Sequence, residues 1–111
     1  MRMEQIVVIK PHGRVDLNAA RSLEGELTEH LDAKRKRILV DLRDARYMDS
    51  NGLRVLLGAL KQARQFGGDL KICCLNKRVM EIFSTAGLDH IFEIYATRAD
   101  AERAFGKDIH E

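Results

Sequence analysis

Residues 37–68 read RILVDLRDARYMDSNGLRVLLGALKQARQFGG, and the order of signals in this stretch decides the fold class. Arg37 to Leu42 is a short, almost wholly apolar run, as expected of a strand covered on both faces. Leu53 to Phe66 then places Leu53, Leu56, Leu57 and Leu60 on one helical stripe, and Gly67-Gly68 supplies the stop. A buried strand followed by an amphipathic helix is one β-α unit.

The same alternation extends outward in both directions. Gln5 to Ile9 is a short β-rich run, and Asp16 to Ala33 carries Ala20, Leu23, Leu27 and Leu31 at helical spacing. Downstream, Asp69 to Leu75 reads as a strand. Lys77 to Ala86 reads as a helix with Val79, Ile82, Phe83 and Ala86 on one face and Gly87 beyond it. Ile91 to Tyr95 is a short strand, and Thr97 opens a last helix with Ala101, Ala104 and Phe105 inward. Four successive β-α units predict an α/β fold, a small mostly parallel sheet joined by right-handed crossovers with helices packed on it.

The chain has 111 residues, 45% of them hydrophobic and 32% charged, with one proline and a formal net charge of +2. That is the size and balance of one globular domain, with its core at about residues 5–106, able to bury a core without disulfides or metals. The N-terminus is polar and no apolar run approaches the ~18 residues needed to cross a bilayer, so a cytoplasmic protein without membrane contact is expected. The basic run Lys34 to Arg37 has no interleaved aromatics, which favours a helix C-terminus over a nucleic-acid patch. Cys73 and Cys74 are adjacent, without a CxxC or a neighbouring histidine, and are expected as two inert thiols on opposite faces of a strand. The chain should fray from Lys107 onward.

Function in open α/β folds gathers at the carboxyl ends of strands. Three loops fall there: Lys10 to Asp16, Arg43 to Ser50, and Asn76 to Arg78. None carries a phosphate-binding glycine loop or a nucleophile elbow, and His12, His30, His90 and His110 are scattered without ligand spacing. No enzyme, cofactor or metal site is expected. The second loop runs into MDSNG, residues 48–52. Asp49, Ser50 and Asn51 are all strong N-cap residues for a helix beginning near Gly52. One cap needs one of them, so the turn reads either as a cap alone or as a cap with an accessible serine that phosphate would convert into a charge switch.

Taken together, these pieces resemble the STAS domain, especially the bacterial anti-sigma factor antagonists. The similarity lies in the strand ending V-D-L, the D-S-x-G-L turn, the leucine-rich helix, the G-G turn, and Gly13, Val15, Asp16, Ala20 and Leu23 upstream; it spans roughly Ile6 to Phe105. The resemblance implies a non-enzymatic module that binds an anti-sigma factor, usually a serine kinase. Phosphorylation at the D-S-x-G turn switches it off and a PP2C-type phosphatase restores it. Carried onto this chain, the resemblance implies Ser50 as phosphoacceptor. It implies a partner surface of Asp16, Asp49, Asn51, Gly52, Leu53 and Arg54, and no direct contact with nucleic acid. Two departures stand out. The best-known antagonists read D-S-S-G and take phosphate on the second serine, where this chain has Asn51. The alternative is therefore a constitutive, non-phosphorylated scaffold subunit of a signalling or transport assembly. Members also carry a strand before the one matching Gln5 to Ile9. Met1 to Glu4 is too short for it, so a bare sheet edge and weak self-association through that edge are expected.

Overall fold

The computed structural model describes residues 5–108, which alternate strand and helix as the periodicity requires. Strand β1 is Val7–Ile9, β2 is Gly13–Val15, β3 is Arg37–Asp41, β4 is Ala45–Met48, β5 is Asp69–Cys73 and β6 is Glu93–Tyr95. Helix α1 is Leu17–Asp32, α2 is Ser50–Gln65, α3 is Lys77–Thr85 and α4 is Arg98–Asp108. All pairings are parallel. A four-stranded sheet runs β1-β3-β5-β6, and β2 pairs with β4 as a second, two-stranded ribbon.

That ribbon corrects the sequence reading, which took Lys10 to Asp16 and Arg43 to Ser50 as loops. Each contains a short strand, and they pair Val15 with Met48. Their length and exposed arginines, Arg14 and Arg46, hide them from periodicity, because the pairing is non-local. Among the described residues β1 pairs only with β3 and lies at one edge of the four-stranded sheet. The expectations resting on Met1 to Glu4 and on the last residues, Ile109 to Glu111, lie outside the described residues, while α4 itself runs to Asp108.

Period-two alternation along β3 divides the interior. Ile38 and Val40 join the larger core with Leu23, Leu27, Leu56, Leu60 and Phe83, while Leu39 joins Cys73, Ala101 and Phe105 beneath α4. Leu56 is fully buried, as the helix phase required. Its helix packs against α1, β5 and β4, and the buried face is Leu56, Ala59, Leu60 and Ala63, with Leu53 and Leu57 at the margin. The α2 C-terminus closes where expected: Gly67 adopts φ 86°, which glycine tolerates freely, and the Gly68 N–H donates to the Ala63 carbonyl at 2.9 Å. The basic run does not lie in the last turn of α1. Lys34 takes a left-handed φ of 65° with its ammonium over the Phe66 ring, and Arg37 opens β3 while donating to the Phe105 carbonyl at 3.1 Å.

Candidate functional site

Each of the four helices among the described residues follows the carboxyl end of a strand and is capped by a side chain, Thr97 serving α4; the caps of α1, α2 and α3 frame the candidate site. Asp16 follows β2 and accepts from the Ala19 N–H at 3.2 Å. Asp49 follows β4, and its Oδ1 accepts from the Asn51 N–H at 2.9 Å and the Gly52 N–H at 3.4 Å. Asn76 precedes α3, accepting from the Val79 N–H at 2.8 Å and donating to the Ala45 carbonyl at 3.0 Å, which ties α3 to β4. Because Val15 pairs with Met48, beyond a register shift at Gly13/Arg14, Asp16 and Asp49 emerge side by side, and the Asp49 N–H donates to the Val15 carbonyl at 3.2 Å.

The cap of α2 is thus Asp49, and the helix starts at Ser50, not near Gly52. Ser50 occupies the first helical position, exposed, and the cap does not need its hydroxyl. Asn51 is half-buried, its Nδ2 3.4 Å from Asp49 Oδ2, so it braces the cap. Gly52 does not sit in an open surface. It is buried beneath Met48 and Val15, and a Cβ there would lie 2.6 Å from Met48 Cγ. Arg54 is exposed but lines a different cleft, between α1 and α2, with Glu24, Thr28 and Gln62.

Asp49, Ser50 and Leu53 share a groove of about 670 Å³ with Tyr47, Arg78, Glu81, Ile82 and Thr85. The far wall comes from α3, about thirty residues downstream, and sequence reading did not join it to the turn. The third loop, Asn76 to Arg78, was the one local signal for it. Tyr47 is half-buried and carries two guanidinium groups near its ring, Arg14 at 4.5 Å and Arg78 at 5.1 Å from the centroid. The groove therefore joins apolar side chains, an exposed serine at the positive end of a helix, and one cation, Arg78, facing the acidic Glu81 and Asp49 on the same lining.

The cysteines depart from expectation. Cys74 lies just past β5 with φ 67°, which turns its side chain back, and the two Sγ atoms stand 3.2 Å apart. Burial, then the hydrogen bond with Cys74, pushes the Cys73 thiol up to about 12.

The family model of the STAS domain matches residues 2–101. The chain belongs to the STAS domain family. A Bordetella bronchiseptica protein named as a candidate anti-sigma factor antagonist, BtrV, is 35% identical, the match covering 94% of this chain and 90% of that protein. The anti-sigma-B factor antagonist of Bacillus subtilis is 32% identical over 84% of each chain. Among solved structures, the anti-sigma factor antagonist SpoIIAA in its unphosphorylated form superposes with a TM-score of 0.81 at 20% identity, covering 100% of this chain and 96% of that one. Its phosphorylated form gives 0.72, also at 20% identity and covering 94% of each. At that identity the structural likeness establishes the shared α/β fold. Among the described residues, no helix of this STAS domain is long and apolar enough to cross a membrane.

Proposed function

We propose that this STAS domain is a cytoplasmic, non-enzymatic anti-sigma factor antagonist, which binds an anti-sigma factor that is also a serine kinase and is released from it by phosphorylation of Ser50. The observation that carries this reading is the position of Ser50: exposed, first in α2, beside a cap that does not use its hydroxyl, on the rim of the groove. The relatives named as antagonists of anti-sigma factors support the partner class. A PP2C-type phosphatase completes the cycle. The partner surface is Asp16, Asp49 and Leu53, widened to Tyr47 and Arg78; Asn51 braces it, Gly52 supports it from below, and Arg54 borders it.

Phosphate on Ser50 is compatible with the fold, because it adds a charge of about −1.5 to −2 at the positive end of α2, within the groove that holds Arg78. The same dianion inside a protein contact must be desolvated and adds bulk beside Asp49, so release of the partner is expected. The test is to isolate the binding partner from the source cells, add ATP, and map the modification by mass spectrometry, with Ser50→Ala as control. Phosphate on Ser50 together with release of the partner is expected. Modification at Thr85, also on the groove, would move the switch there. Asn51, at the second position of the turn, favours one other reading, a constitutive scaffold. A partner that stays bound with ATP while no phosphate is found would establish it.

A further inference from the structure

Beneath α4, at the carboxyl ends of the two central strands, lies a cluster separate from the serine groove. Asp41 ends β3 and pairs in register with Cys73, which ends β5. One carboxylate oxygen of Asp41 and the sulfurs of Cys73 and Cys74 all lie within 4.8 Å of one another. Asp41 and Cys73 are fully buried and Cys74 is half-buried.

Three features set this cluster apart from ordinary packing. Asp41 Oδ1 accepts from the Arg43 backbone N–H at 3.0 Å and from Arg43 Nε at 3.4 Å, whereas the buried Oδ2 receives no hydrogen bond and has only an ion-pair contact, with Arg43 Nε at 3.3 Å. The exposed Arg43 offsets part of the charge, but a fully buried carboxylate oxygen without a hydrogen bond remains under-satisfied, and a coordinated cation would complete its shell. The left-handed turn at Cys74 brings a second sulfur to the same face of the sheet, where an extended residue would have carried it to the other. The frame is rigid, since the Leu42 N–H donates to the Cys73 carbonyl at 3.0 Å and the Cys74 N–H to the Tyr95 carbonyl at 3.1 Å.

We propose that Asp41, Cys73 and Cys74 form a binding site for a thiophilic divalent cation of the zinc class. Two thiolates and a carboxylate are a borderline-soft donor set, which selects zinc or cadmium over magnesium or calcium. Charge closes as well: the two thiolates and the carboxylate balance the divalent ion plus the Arg43 guanidinium, which already donates to Cys74 Sγ at 3.6 Å. Tetrahedral zinc with bonds of roughly 2.3 Å to sulfur holds two thiolates about 3.8 Å apart. The sulfurs, now 3.2 Å apart and joined by a thiol hydrogen bond, need to separate by about half an ångström as the ion displaces their protons. Half-buried Cys74 provides the way in, and the fourth position is left to water or an external ligand.

The experiment is a cadmium titration of the full chain, reduced with a phosphine and freed of it without air. Thiolate-to-cadmium charge transfer is read in the ultraviolet, and zinc affinity is read by competition against a chromophoric chelator. One equivalent should saturate the signal, zinc should displace cadmium, and calcium should not. Cys74→Ser, which keeps the shape of a half-buried side chain, should weaken zinc binding by at least about tenfold. Asp41→Asn should do the same, with circular dichroism checking its fold. Absence of saturable cadmium uptake by the reduced chain overturns the site, as does a folded Cys74→Ser variant that binds zinc as tightly as the parent.

Discussion

At Asp49 and Ser50 the two adjacent side chains divide the labour of the turn. The carboxylate of Asp49 takes the Asn51 and Gly52 N–H groups, while the serine hydroxyl lies outside the cap. Asp49→Ala should therefore cost on the order of 1 kcal/mol, the usual worth of an N-cap. Ser50→Ala should change stability by less than about 0.5 kcal/mol. Denaturant melts of the two variants read this difference directly, and equal losses would return the cap to the serine. Gly52 makes a third prediction at this scale. A methyl group there meets Met48 Cγ at 2.6 Å and Val15 Cγ1 at 3.0 Å, so Gly52→Ala should cost about 1–3 kcal/mol by overpacking. MDSNG shows three good caps in a row to any reader of the sequence. Which one bonds, and which residue is pressed under Met48, depends on the angle at which β4 delivers the chain into α2, and the sequence carries no mark of that angle.

Among the elements, the four helices and the strands of the four-stranded sheet were legible, and the β2–β4 ribbon was not. The α2 stripe announces Leu56 as a core residue, and Leu56→Ala should cost on the order of 2–5 kcal/mol, checked by the same melts. Strands β2 and β4 exist because they find each other across thirty residues, and helix α3 reaches the serine groove only through tertiary packing, which Asn76 secures on β4. The partner of a buried cation was equally hidden. Lys71, in the middle of an apolar strand, is fully buried, 3.0 Å from Asp69 Oδ2 and 2.8 Å from Glu93 Oε1. The hydrogen bond from Lys71, then that from the Tyr95 hydroxyl, holds the Glu93 carboxyl below the usual carboxylate range. A carboxylate with a lowered folded pKa stabilises the fold above its unfolded pKa, and that stability is lost as pH falls through the folded value. The acid limb of a stability–pH profile should therefore be shallower in Glu93→Gln than in the parent, and an unchanged limb would mean that the Lys71 contact does not couple to folding.

For the whole molecule, the consequence that matters is that the β2–β4 ribbon sets two capping aspartates side by side at one end of the sheet. Each is both a structural group and a surface charge, and the two roles must be separated before either can be tested. Asp16 accepts from the Ala19 N–H, so Asp16→Lys removes a cap from α1 as well as reversing a charge, and its effect on binding would be mixed with a loss of about 1 kcal/mol in stability. Asparagine caps as well as aspartate but carries no charge. Asp16→Asn should therefore leave the melting profile close to that of the parent. If the partner presents a basic face to Asp16 and Asp49, the substitution should slow association and flatten its dependence on ionic strength, while dissociation changes little, because exposed interface charges act mainly on the encounter rate. Stopped-flow association at low and high salt, set beside a thermal melt, measures both roles in one variant. Slower association with an unchanged melt places Asp16 in the contact surface. An unchanged association rate would confine Asp16 to capping α1 and shift the contact surface toward Asp49, Tyr47 and the α3 wall of the groove.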